Sequence, residues 1–493
     1  MIAVELLIVV VVLWLVKTIL SRRYAKRYRM PPGPPALPLI GNLPVFMTNR
    51  APYLVMKDLA DKYGSVFSLK IGTTPFLVLN DVDSIREALQ HRATDFAGRP
   101  CLYSVSLMSR NNCDIVFGDY TPGWKRHRRV TATALHKNVR GIGCESIGVK
   151  ITREVEYINE ILMKKAGPVC DIEDELNLAI INVISQLTFA TRYTLDDPEY
   201  LALVDSNQKF SSLLKPGDPI DVFPALKIFP SKKLRLVQEL IDSRDAILQK
   251  KYEEHLATFD PDNIRDITDT LIATMRQSKD QNGNDVFSAD HVVMATWDMF
   301  LGGYEATYKT IKWAIAFLIH HPEVQAKIQA EMKAAIGDRL PTWEDRAKLP
   351  FLEATILETL RQSSMSSMNG PRRTTCDTQV KGFDIPKDTT VFCNLWWVHH
   401  DPKNWKFPTS FRPEHFLNEH GRVSVPKSFL AFSLGSRACF GSQLAIMQLC
   451  LLVGGILQQF NLRQAVGEPL PDLEPGSELV RTVCDYKLCL EVR

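Results

Sequence analysis

Residues 288–321 limit more than any other stretch what this chain can fold into. Apolar side chains recur there with the 3.6-residue period of a helix, Ser288 suits the cap position, and Pro322 stops the run. About 33 residues at 1.5 Å each predict a helix about 50 Å long, which has to cross a whole domain. Being mostly apolar, it belongs in the centre. Its middle reads Gly302-Gly303-Tyr304-Glu305, two glycines and a carboxylate where helix propensity and core packing favour other residues. Local rules broken inside a core helix point to a functional site.

Around this element the pattern is helix-dominated. Residues 65–71 and 76–80, joined through Gly72-Thr73-Thr74-Pro75, predict a hairpin, and 380–383 and 391–395 predict short strands. With 493 residues, 45% hydrophobic and 23% charged, the chain is neither a collagen, a disordered tail nor a small disulfide scaffold. No repeat, low-complexity tract or second Pro/Gly/Ser-rich linker follows Gly41, so 42–493 read as one large domain.

Residues 2–16 are apolar except for Glu5, and the run continues weakly to Leu20. About 20 helical residues span about 30 Å, the core of a bilayer. A cleavable signal peptide would carry its positive charges first and end in a small-residue site, whereas here the charges follow. Residues 1–20 are therefore expected to be a transmembrane signal anchor, with the rest of the chain held on the cytoplasmic side. The charge supports this. Residues 1–30 hold six of the 59 basic residues and one of the 56 acidic ones, so the net +3 divides into +5 at the N-terminus and −2 elsewhere. Residues 21–41 are first basic and then proline-rich, Met30-Pro31-Pro32-Gly33-Pro34-Pro35 with Pro38 and Gly41, which predicts a short, stiff, extended linker. The ten cysteines lack framework spacing, and most are expected to be reduced, buried, inert thiols.

Near the C-terminus stands Phe432-Ser433-Leu434-Gly435-Ser436-Arg437-Ala438-Cys439-Phe440-Gly441, followed by an apolar helical run over about 443–460. A lone cysteine is usually a structural thiol. Here a helix starts just after it, Arg437 lies two residues before it, and glycines let the backbone approach both the sulfur and a flat ligand, conditions that favour a metal-bound thiolate. The pattern F-x-x-G-x-R-x-C-x-G would arise by chance in such a chain with a probability of about 10⁻⁴.

On these residues the chain resembles the cytochrome P-450 family, the haem-thiolate monooxygenases. Glu358-Thr359-Leu360-Arg361 matches the family's E-x-x-R, whose two charges share a helix face. Phe411-Arg412-Pro413-Glu414-His415-Phe416 is similar to its F-x-P-E-R-F segment, with His415 in place of the usual Arg as third member of the Glu358–Arg361 network. Trp124 and Arg128 fit its W-x-x-x-R, although a plain core role for Trp124 remains open. Asn263–Asp269, Leu352–Ile356 and Asn394–His400 look like animal microsomal members, similar to steroid 17-hydroxylases and aryl-hydrocarbon hydroxylases.

The resemblance implies a mainly α fold with small β-sheets, in which a long central helix lies over the haem. It implies haem b, iron protoporphyrin IX, with Cys439 as axial thiolate and metal ligand within the loop of Phe432, Gly435, Arg437 and Gly441. Trp124 and Arg128 would hydrogen-bond haem propionates, as would Arg372, with Arg373 as the fallback. In the family's A-G-x-D/E-T-T motif an acid and a Thr hydroxyl deliver protons; this chain has Glu305 but Ala306, and Thr307 is turned by about 100° from the usual position. Either Glu305 works through a water or a substrate hydroxyl, or the enzyme isomerises or dehydrates an oxygenated substrate without conventional dioxygen activation.

The implied activity is that of an oxidoreductase acting on paired donors with incorporation of molecular oxygen. Its substrate is expected to be lipophilic, a steroid, terpenoid or xenobiotic, lined by residues about 99–119, 296–306, 365–370 and 476–481. No dinucleotide fingerprint is present, so electrons are expected from a separate reductase, and the resemblance implies a membrane-bound NADPH–cytochrome P-450 reductase, with cytochrome b5 as a second partner, at the endoplasmic reticulum membrane. Lys125, Arg126 and Arg129 could dock an acidic donor. Two other classes compete less well: a non-catalytic haem sensor, and a zinc site of Cys484, Cys489, His399 and His400, which adjacent histidines on a strand could not form. Nucleic-acid binding has no support.

Overall fold

The structure, a computed structural model, describes residues 28–493 apart from 111–112, 143–144, 214–218, 224–230, 278–286 and 475–479. The expected membrane anchor, the basic flank up to residue 27 and much of the expected lining at 476–481 lie outside the described residues. The chain forms two compact units. Of the described residues, one comprises those up to Pro100 with Ser366–Val398 and Ser433–Ala438; the other comprises those within Cys101–Met365, His399–Phe432 and Cys439–Arg493.

Nine short strands are described: β1 (Val66–Ile71), β2 (Thr74–Leu79), β3 (Gly167–Cys170), β4 (Arg372–Arg373), β5 (Thr378–Val380), β6 (Phe383–Ile385), β7 (Thr390–Cys393), β8 (Phe460–Gln464) and β9 (Leu488–Val492). The first unit is built on the sheet β1-β2-β7-β4. The β1–β2 hairpin is antiparallel as expected, and β2 pairs in parallel with β7, Leu79 opposite Cys393. The proline-rich segment runs along β1. Ser68 donates its N–H to the Pro32 carbonyl and its hydroxyl to the Pro31 carbonyl, both at 2.8 Å. The strand expected over 380–383 is instead the turn between β5 and β6, because Lys381 and Gly382 both take positive φ, +50° and +76°.

The second unit holds the helical core. The helices that build the site are α1 (Pro122–Arg140), α2 (Glu173–Thr188), α3 (Ala289–Phe300), α4 (Ala306–His320), α5 (Pro350–Ser363) and α6 (Ser442–Gln459). Thr121 caps α1, accepting the Trp124 N–H at 3.1 Å, and Gly141 closes it in the left-handed conformation. The expected helix over 288–321 is observed with one interruption. Ser288 and His291 form a capping box at its start, and Pro322 follows its end, but Leu301–Glu305 is a π turn between α3 and α4. π turns inside α-helices are rare and cluster at functional sites. Helix α6 is long and apolar enough to cross a membrane, yet most of it is buried, which makes it a core helix.

The nine described cysteines are all free, as expected, but only four are buried, Cys113, Cys170, Cys393 and Cys450. His399 and His400 end a short helix, Leu395–His400, rather than lying on a strand.

Candidate functional site

Each unit holds its part of the cysteine loop by its own hydrogen bonds. In the first unit Gly435 takes a φ of +73° at the start of a 3-10 turn, Gly435–Arg437, and a Cβ there would run into the Leu89 carbonyl oxygen. Arg437 is buried, with Nε donating to the Ala97 carbonyl at 2.6 Å. Arg372 is buried as well, and its Nη2 donates to Ser433 Oγ at 3.1 Å.

In the second unit the Cys439 N–H donates to the Phe432 carbonyl at 2.9 Å, and Gly441 stands at the cap of α6. Solvent reaches the Cys439 side chain, but surrounding atoms still desolvate it and push the thiol up; the Gly441 N–H and the Arg128 guanidinium act in the opposite direction. Arg128 therefore has the electrostatic role that the sequence assigned to Arg437. Its guanidinium lies over the Phe440 ring at 5.1 Å and the Trp124 ring at 5.6 Å. Trp124 itself is buried, and Nε1 donates to the Ile115 carbonyl at 3.0 Å. That N–H is satisfied inside the protein, which favours the core role the sequence left open.

The central helix supplies the acid. Glu305 ends the π turn and accepts a hydrogen bond from Lys309 Nζ at 2.6 Å, an i,i+4 pair. Gly302 is exposed, and a Cβ built on it would meet nothing within 4 Å. Thr307 is buried, and its hydroxyl donates to Gln448 Oε1 on α6 at 3.4 Å, which joins the central helix to the helix that follows the cysteine. The rotation expected for Thr307 is present, and its hydroxyl is directed into the core.

Asp298, absent from the residues that the motifs single out, is a buried carboxylate on α3. It accepts the Ile115 N–H at 2.6 Å and the Val116 N–H, while burial and the neighbouring Asp114 push it well above the usual carboxylate range. It thereby fixes the residue to which Trp124 donates. The signal was the same as for Glu305, a carboxylate in an apolar helical run.

Glu358 and Arg361 form the buried pair that their spacing predicted. Arg361 donates from Nε and Nη2 to the two Glu358 oxygens, both at 2.7 Å, with neither side chain exposed. His415 Nδ1 lies 3.1 Å from Glu358 Oε1, and the Arg412 N–H donates to the same oxygen at 2.8 Å. The histidine thus joins the network where an arginine is usual. Arg361 also braces three backbone carbonyls, those of His399, Pro408 and Ser410.

Two metal-like groupings dissolve on inspection. His255, Asp266 and Asp269 lie within ligand distance of one another, but His255 Nε2 is 2.8 Å from Asp266 and Asp269 is held by Arg265 at 2.7 and 2.8 Å. His399 pairs Nδ1 with Ser364 Oγ at 2.8 Å, and its Nε2 accepts the Leu430 N–H at 2.9 Å, so both ring nitrogens are committed.

The donor set fits an iron porphyrin: a thiol with a backbone N–H and a guanidinium beside it, and a helix with open space at Gly302. Similarity to known proteins agrees. The family model for Cytochrome P450 matches residues 31–490. The steroid 17-alpha-hydroxylase/17,20 lyase of Ictalurus punctatus is 38% identical over 94% of this chain and 91% of its own length. Cytochrome P450 1A1 of Sparus aurata is 34% identical over 94% and 91%. A solved zebra fish cytochrome P450 with progesterone superposes with a TM-score of 0.81 at 32% identity, covering 90% of this chain and 100% of that one. The chain therefore belongs to the cytochrome P450 family, the haem-thiolate monooxygenases.

Proposed function

We propose that this chain is a membrane-bound monooxygenase that inserts one oxygen atom from dioxygen into a lipophilic substrate, with electrons from NADPH delivered by a separate reductase. The observation that carries the reading is the Cys439 thiol at the start of an apolar core helix, with the Gly441 N–H and Arg128 acting on it. A steroid is the favoured substrate class, because the similar chains include a steroid hydroxylase and a structure with progesterone. Terpenoids and xenobiotics are the alternatives.

Bound haem supplies the iron at which dioxygen is reduced and cleaved. Cys439 would hold that iron, with Phe432, Gly435 and Gly441 shaping its loop. Arg128 and Arg372 are the cations assigned to the haem carboxylates, Arg437 belongs to the cysteine loop, and Trp124 supports Arg128 by offering the face of its ring. Glu358, Arg361 and His415 keep the segments around the site in place. Glu305 is the residue that moves protons; Ala306 offers none, and the Thr307 hydroxyl is engaged with Gln448.

That engagement also supports a second reading, in which an oxygenated substrate is isomerised or dehydrated without conventional dioxygen activation. Ala306→Thr separates the two: product formed per NADPH consumed rises if the native enzyme is a leaky monooxygenase and stays unchanged if it is not one. The test of the principal reading is the carbon monoxide difference spectrum of the reduced protein. A red-shifted Soret band lost in Cys439→Ser supports it, and absence of that band from folded, haem-loaded protein refutes it. Incubation with reductase and a panel of steroids, terpenoids and fatty acids identifies the substrate class. Recovery in the endoplasmic reticulum membrane fraction, lost when residues 1–20 are removed, tests the anchor.

A further inference from the structure

The i,i+4 partner of Glu305 is a lysine, and its surroundings set it apart from the surface pairs of this chain. Lys309 Nζ lies 2.6 Å from Glu305 Oε1, with the side chains 16% and 26% exposed, whereas the helical pair Lys57–Asp61 is 30% and 58% exposed. Exposed pairs of the latter kind contribute little, and a half-withdrawn one interacts through less water. The hydroxyls near Glu305 donate elsewhere: Tyr304 to Asn177 Oδ1 at 2.7 Å, Thr307 to Gln448 at 3.4 Å, and Thr310 to the Ala306 carbonyl at 2.7 Å. Position 306 has no hydroxyl at all.

We propose that Lys309 is a positioning residue for the monooxygenase reaction proposed above, holding the Glu305 carboxylate in a chain that has no hydroxyl at position 306. The inference rests on that reading. Nζ donates its hydrogen bond to Glu305 Oε1 and so fixes the carboxylate, while the proton itself reaches Glu305 from solvent. Glu305 ends the π turn and Lys309 lies in the first turn of α4, so the pair spans the point at which the α-helix resumes.

The test uses the full-length, haem-loaded enzyme with its reductase. Lys309→Met and, should it fold poorly, Lys309→Gln are compared with Lys309→Arg, each with and without Ala306→Thr, and with Glu305→Gln. Product per NADPH is expected to fall about tenfold in Lys309→Met and to be kept in Lys309→Arg. Ala306→Thr is expected to restore it to Lys309→Met but not to Glu305→Gln. A second readout needs no turnover: the infrared carboxylate band that disappears in Glu305→Gln should move in Lys309→Met and stay in place in Lys309→Arg. Product per NADPH within about twofold of the parent in Lys309→Met, an unmoved band, or a loss that Ala306→Thr fails to restore each overturns the proposal. Were the parent enzyme to lack the red-shifted carbon monoxide band, the monooxygenase reading itself would fall instead.

Discussion

Replacing Arg361 by methionine should come close to unfolding this protein. The substitution removes the two Arg361 donors from a Glu358 carboxylate that has no exposure, leaving it the Arg412 N–H at 2.8 Å and His415 at 3.1 Å. Stranding one member of a buried ion pair costs about 3–5 kcal/mol. The carbonyls of His399, Pro408 and Ser410 lose a charged donor as well, at about 1 kcal/mol or more each. The total is about 6 kcal/mol or more, against a usual stability of about 5–15 kcal/mol. Arg361→Met is therefore expected to accumulate little folded haem protein, and the fraction recovered should show a much lower urea midpoint by tryptophan fluorescence. The double variant Glu358→Leu/Arg361→Met removes the stranded charge and should lie at least about 2 kcal/mol above the sum of its two single changes. A cost below about 1 kcal/mol for Arg361→Met, or strict additivity in the double variant, would refute the argument that an uncompensated buried charge dominates.

Gly435→Ala combines a left-handed φ with a Cβ driven into the Leu89 carbonyl, so strain and overpacking of about 1–3 kcal/mol each should appear as lost haem retention on gel filtration; retention equal to the parent would contradict the close approach. Trp124→Phe keeps the ring beneath Arg128 but abandons the Ile115 carbonyl, so stability should fall by about 1 kcal/mol with haem affinity little changed, and a large drop in haem affinity would show that the indole N–H serves the cofactor instead. Burial works against the charge on His255, but Asp266 at 2.8 Å outweighs it and the net shift is upward. The stabilisation from that pair is complete below the ordinary histidine value of about 6.5 and fades as pH rises through the raised folded value; urea midpoints from about pH 6 to 8 should show the decline, and Asp266→Asn should flatten it.

What could be read from the sequence depended on what kind of partner each residue has. Glu358 and Arg361 partner each other, so a three-residue spacing revealed them, and His415 followed from a neighbouring motif. Arg437 and Trp124 have backbone carbonyls as partners, those of Ala97 and Ile115, which leave no mark on side-chain pattern; their roles changed accordingly. The long helix had legible ends because Ser288 and Pro322 are local signals, while its π turn left only the pair Gly302-Gly303 as a trace. The hairpin over β1 and β2 followed from alternation and a glycine turn. The strand placed over 380–383 ignored the same punctuation at Lys381-Gly382. Lys309 stands four residues from Glu305, but the mostly apolar run around it hides the pair.

The parallel pairing of β2 with β7 sets a schedule for synthesis. Strand β2 ends at Leu79 and its partner opens at Thr390, about 310 residues later. At about 5–20 residues per second a ribosome needs about 15–60 s to close that gap. Throughout it the inner edge of the hairpin shows unpaired backbone groups, the kind of edge that recruits other strands. Cells making this chain quickly should therefore load chaperones early in its translation, and slowing elongation should lengthen the period in which nascent chains aggregate.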